Sequence, residues 1–217
     1  MLEIDGTTPY AVLLAHGDDA VTAAVAQTLE SQGWTVDLQR GEVRSAAESA
    51  ARRRRVDGVV YVPGLLAGSE RDSDEPACVL MDLVESLRPC LRAQEQGGAR
   101  VVAVGSRDWL GWPGRPRVAA RAAGLVAAVR SLALADGRAG ITVNAVIGIP
   151  MDAAKRRAAG AVPGTHLSEP VPLTGEPVTP EDIAATVSFF LDPGSAYITG
   201  QVLHCCGGAS LLSSLSV

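Results

Sequence analysis

Short apolar runs alternate with amphipathic stretches of helical length from one end of this chain to the other. A strand that reads as an unbroken apolar run is covered on both faces, and parallel pairing needs a helix-length crossover between strands. The pattern therefore leads to a parallel sheet with helices on both sides. The expected strands are 10–15, 35–38, 58–62, 101–104, 141–147 and 197–203, and the expected helices 18–32, 43–55, 77–93, 117–135 and 180–191. Asp18 or Asp19 suits the first N-cap and Gly33 its stop, while Pro180 suits a first helical turn. Pro89 is expected to kink or end helix 77–93. Residues 65–75 read as a loop and the proline-rich stretch 151–179 as an irregular flap. With no internal repeat, residues 1–217 read as one domain.

At 217 residues and 47% hydrophobic content, such a chain can bury roughly 70% of its unfolded surface. The net charge of −5 gives nucleic-acid binding no global support. The acidic start lacks a signal-peptide pattern, and no stretch reads as a membrane span of ~20 apolar residues. Cys78, Cys90, Cys205 and Cys206 form no Cys-x-x-Cys pair, so a reduced, cytoplasmic protein is expected. His16, His166 and His204 show no ligand spacing, and no metal site is expected.

Two stretches carry a resemblance. Ser131–Val146, SLALADGRAGITVNAV, and Thr179–Gly208, TPEDIAATVSFFLDPGSAYITGQVLHCCGG, resemble the end of a helix with its following strand, and the last helix, ITGQ turn and closing strand, of the short-chain dehydrogenase/reductase family. That family usually ends the strand with Val-Asp-Gly-Gly, where this chain has Cys205, Cys206, Gly207 and Gly208. The resemblance implies an α/β, Rossmann-like doubly wound parallel sheet and assembly into dimers or tetramers. Between Arg40 and Val56 there is room for one helix, where the family usually fits two helices and a strand. Six strands are therefore expected, with one edge strand–helix unit missing.

The family's working motifs match poorly. Its Thr-Gly-x-x-x-Gly-x-Gly turn brings backbone against the cofactor pyrophosphate at a helix N-terminus. The corresponding stretch here is Ala15-His16-Gly17-Asp18-Asp19-Ala20-Val21-Thr22. Unit charges ~4 Å apart repel by about 4 kcal/mol at an effective dielectric near ~20, so Asp18 and Asp19 oppose a phosphate there. The family's Asn-Asn-Ala-Gly stretch reads Tyr61-Val62-Pro63-Gly64. Its reductases use a serine and a Tyr-x-x-x-Lys pair, in which the lysine lowers the pKa of the proton-donating tyrosine. Ser106 matches the serine as a vestigial candidate, but Val118 and Ala122 stand at the tyrosine and lysine positions. The tyrosines are Tyr10, Tyr61 and Tyr197 and the single lysine is Lys155, so no Tyr-x-x-x-Lys exists anywhere in the chain. Arg121 lies near, but a guanidinium is a poor proton donor. No catalytic residue and no bound cofactor are expected, the alternative being NADP or NAD.

Arg52–Arg55 reads as a solvated helix end, with contact to coenzyme phosphates as an alternative. Cys205 and Cys206 read as small thiols at a strand end, and Trp109 and Trp112 as lining a pocket or capping an interface. Helices 77–93 and 117–135 correspond to those that pair across the family's main dimer interface. Ala119, Ala123, Val126 and Ala127 are expected to form the meeting face. The reading these features support is a non-catalytic subunit that pairs with an active homologue. Two alternatives stay open. One is a divergent NAD(P)-dependent oxidoreductase for a ketone or 3-oxoacyl thioester, using Ser106 with a water or Asp108 as acid. The other is a module that holds a ligand under the flap without turnover.

Overall fold

A computed structural model describes residues 8–53, 55–67, 75–150 and 172–212. Six parallel strands are found among them: β1 (Tyr10–Ala15), β2 (Thr35–Gln39), β3 (Gly58–Val62), β4 (Arg100–Ser106), β5 (Thr142–Gly148) and β6 (Val202–His204). They lie in the order β2-β1-β3-β4-β5-β6. This is the six-stranded, Rossmann-like α/β sheet that the sequence leads to. The described helices are α1 (Asp19–Ser31), α2 (Val43–Arg53), α3 (Pro76–Leu87), α4 (Pro116–Asp136) and α5 (Pro180–Leu191). Most of the flap, residues 151–171, lies outside the described residues.

The strands form where they do because each feeds two cores at once. In β1, Tyr10, Val12 and Leu14 point into a cluster beneath α2, α3 and α4. Ala11, Leu13 and Ala15 point into a second cluster beneath α1 and α5. Alternate residues thus stay apolar on both faces, which is the signature of a central parallel strand. α5 starts with a capping box, in which Thr179 accepts from the Asp182 amide and Asp182 accepts from the Thr179 amide.

Several boundaries differ from expectation. α3 ends at Leu87, and Arg88–Cys90 continues as a tight turn around Pro89. The last strand begins at Val202 and not at Tyr197. Leu65 and Leu66 lie deep in the core and not on a surface loop. Against the expectation of no membrane-length stretch, Pro116–Ala139 is apolar enough to be one, with a mean hydropathy of 1.6, yet half of it is buried in the protein as a core helix is.

The candidate crevice and the family

Strand order reverses about β1, which lies between β2 and β3. At such a switch point the loops leaving neighbouring strands diverge and open a crevice at their carboxyl ends, the usual ligand position in open α/β sheets. Here the loops after β1 and β3 are sewn together. The His16 amide donates to the Val62 carbonyl at 2.9 Å. Gly17 has φ +143°, and a Cβ on it would press on the Gly64 Cα at 3.2 Å. Only glycine serves at that approach.

Asp18 carries the next turn in a left-handed conformation, φ +52°. It occupies the N-cap position of α1, as expected, but its side chain does not cap the helix. Its carboxylate instead accepts from the Leu66 amide at 2.9 Å and from the Ala67 amide. Burial pushes the Asp18 carboxyl above its ordinary range, the two amides pull it back, and Asp19 adds to the rise. Asp19 stays exposed and meets Arg40 at 3.8 Å. His16 Nε2 contacts the Gly41 carbonyl at 2.6 Å, so one imidazole spans the loops after β1 and β2.

Beyond β4 the chain builds a charged knot. Ser106 is fully buried and accepts from the Asp108 amide at 3.2 Å. Asp108, also fully buried, takes Arg115 Nε at 2.6 Å and Nη2 at 3.0 Å. Arg107 lies 3.7 Å from the same carboxylate. Both guanidiniums lie over the Trp112 ring, Arg107 at 4.6 Å and Arg115 at 5.9 Å from its centroid. Sequence reading picked out the two tryptophans but not this knot. The signal was the close spacing of Arg107, Asp108, Trp112 and Arg115.

Trp109 turns the other way and donates its indole N–H to His204 Nε2 at 3.1 Å. Burial first, and Arg107 second, push the His204 imidazole below its ordinary pKa. Burial pushes the neighbouring Cys205 thiol up, with Asp182 and Cys206 adding and Thr186 opposing, so it is a weak nucleophile at neutral pH. His204 and Cys205 border a cleft of about 770 Å³ whose polar lining includes Thr174, Glu176, Asp182 and Thr186. Among the described residues, no three His, Cys, Asp or Glu side chains converge as metal ligands would.

The positions matched to the reductase pair lie inside α4. Val118 is 1% exposed and Ala122 fully buried, both packed in the core beneath that helix. The expected meeting face of α4 also divides. Ala119 and Val126 pack into the chain's own core, whereas Ala127 faces outward. Of the Arg52–Arg55 run, Arg53 covers the Tyr10 ring at 5.4 Å and Arg55 pairs with Asp57 at 2.9 Å.

Comparison with known proteins fixes the kinship. Residues 77–210 match the sequence profile of the Enoyl-(Acyl carrier protein) reductase family of short-chain type. Subunit BbsC of (2S)-[(R)-hydroxy(phenyl)methyl]succinyl-CoA dehydrogenase from Thauera aromatica is 32% identical over 225 residues, covering 94% of this chain and 86% of that protein. The chain belongs to the short-chain dehydrogenase/reductase family. Subunit BbsD of the same Thauera aromatica dehydrogenase is 40% identical over 124 residues, 55% of this chain and 48% of BbsD. Actinorhodin polyketide ketoreductase, solved with NADPH, shares the fold with a TM-score of 0.69, at 24% identity over 94% of this chain and 98% of that one.

These relatives correct the expectation of no cofactor, since the family is NAD(P)-dependent and a ketoreductase of this fold holds NADPH. The crevice fits such a group in part. Arg40 stands beyond β2, where a basic residue suits a ribose phosphate, but the close approach of Gly17 and Gly64 is filled by their own contact. Asp18 is the misfit, because its carboxylate already holds the Leu66 amide beside that approach. A dinucleotide lying there requires Asp18 to move or to take a proton.

Proposed function

We propose that this chain is the non-catalytic subunit of a two-component short-chain dehydrogenase and that an active homologue supplies the proton donor. The observation that carries the reading is α4. Where a reductase of this family presents tyrosine and lysine to its substrate, this helix turns Val118 and Ala122 into the core. Neither side chain can hold or move a proton. The relatives support the same reading, because BbsC and BbsD are each subunits of one dehydrogenase.

The other candidate acids are committed elsewhere. Tyr10 donates to Asp37 at 2.6 Å, and burial together with that carboxylate pushes its phenol up to about 12. Tyr61 is buried in β3 and Tyr197 is fully exposed beyond β5. Ser106 and Asp108 hold the turn after β4, with Asp108 clamped by Arg115. The alternative of a rearranged reductase using these two residues is therefore the weaker reading.

The partner surface is assigned to the outer sides of α3 and α4. Met81 and Leu134 are exposed there, Leu134 at 86%. Small residues Ala120, Ala127 and Ser131 line the outer side of α4, while Asp82 and Glu85 are exposed on α3. Small side chains let a facing helix approach closely. The test is purification of the chain from its native host. A co-purifying short-chain dehydrogenase that retains Tyr-x-x-x-Lys supports the reading, and a strictly monomeric chain rejects it.

A further inference from the structure

Away from the crevice, at the opposite end of the sheet, lies a cavity of about 380 Å³ between the amino ends of β4 and β5, bordered by Gly97, Gly98, Gly140 and the exposed Tyr197. Arg100 and Thr142 begin these two strands, pair in register and line its wall. They are 5% and 9% exposed. Neither the Thr142 hydroxyl nor Arg100 Nε has a hydrogen-bond partner, and both atoms are sealed from water. Arg100 reaches the protein through Nη2, which donates to the Pro193 carbonyl at a long 3.4 Å. A buried donor left without an acceptor costs stability, and native structures hold few of them.

The charge balance adds a sign. Burial, then the neighbouring Arg92, push the Arg100 guanidinium below its ordinary pKa, while Asp192 and Asp57 pull the other way. Asp57, the buried carboxylate of the pair, already accepts from Arg55, from Arg92 and from the Tyr10 amide. The missing complement is an acceptor that brings negative charge.

We propose that this cavity binds a small oxyanion-bearing ligand, a carboxylate or a phosphate ester, on Arg100 and Thr142. Because both atoms are sealed as the chain stands, binding requires Thr142 to change its χ1 rotamer and the Arg100 side chain to shift toward the cavity. Gly98 and Gly140, both at positive φ, pack tightly on each other and on Gln94 and so close one side of the cavity. The volume falls in the range of small-ligand pockets, roughly 300–1,000 Å³. Because the site lies across the sheet from the crevice, its ligand does not compete there for space, and the proposal stands independently of the subunit reading.

The test is calorimetric titration of the full chain, at constant ionic strength, with inorganic phosphate and separately with benzoate. Saturable binding of one of them is expected, and which one binds identifies the ligand class. Thr142→Val, nearly isosteric, should weaken that binding about tenfold, as loss of a hydrogen bond to a charged group does, while raising the melting temperature of the ligand-free chain. Arg100→Lys should weaken it further by losing the planar fork. The proposal is overturned if neither anion binds saturably, or if Thr142→Val binds as tightly as the wild type.

Discussion

His204 can accept the Trp109 indole hydrogen only as a neutral ring, and both its burial and Arg107 oppose the imidazolium. Its folded pKa is lowered, so on acidification the unfolded chain takes the proton first, near its ordinary value of ~6.5. The stability this residue gives is therefore complete above that range and is lost as pH falls below it. Thermal melts between pH ~7.5 and ~5.5 should show a falling midpoint, with a shallower slope in His204→Gln. Asp18 has the opposite sign. Its raised folded pKa favours the neutral acid, so its strain at neutral pH is relieved as pH falls through that pKa. Asp18→Asn should raise the melting temperature at pH ~7 and flatten this part of the acid response, while an unchanged midpoint would mean that the carboxylate is not strained. Sequence reading placed Asp18 at the helix start but missed its partner. The Leu66 amide lies 48 positions along the chain, and only the closed fold brings it there.

Among the elements, the strands were legible because burial on both faces leaves an apolar run that few other structures tolerate. The last strand was the least legible. Tyr197–Gln201 reads as β-forming, yet Asn144 holds this stretch as a turn, donating to the Ile198 carbonyl and accepting from the Gln201 amide. The meeting face of α4 was half legible, since helical spacing identifies an apolar stripe but not whether it faces the sheet or a neighbour. Leu134, exposed on that helix, offers the clean test. Leu134→Arg should leave the chain's own stability within about 0.5 kcal/mol and abolish co-purification of a partner in size-exclusion chromatography. A tight turn supplies a second prediction. Gly98 sits at φ +72°, and a Cβ on it would collide with the Gly140 carbonyl oxygen. Gly98→Ala should cost on the order of 3 kcal/mol in chemical denaturation, from left-handed strain plus overpacking; a loss below about 1 kcal/mol would show that the two turns part easily.

At the scale of the whole molecule, the chain keeps the family's sheet and loses one edge unit, which leaves a six-stranded body. An edge strand–helix unit can be removed without opening the core, because the strands that feed both hydrophobic clusters remain paired on both sides. On the proposed reading, what remains joins a pair of helices that meet a partner, with Met81 and Leu134 exposed, to a crevice whose α4 positions Val118 and Ala122 are buried. Cofactor occupancy and proton transfer are separable properties, so NADPH binding alone would leave the subunit reading intact. Turnover decides it. The most direct measurement is the rate of NADPH-dependent reduction of a ketone or 3-oxoacyl thioester by the purified chain alone and by its assembly with the dehydrogenase partner. No rate above background is expected for the chain alone, and the rate of the assembly should vanish when the partner's catalytic tyrosine is changed to phenylalanine. Reduction by the isolated chain would contradict the subunit reading.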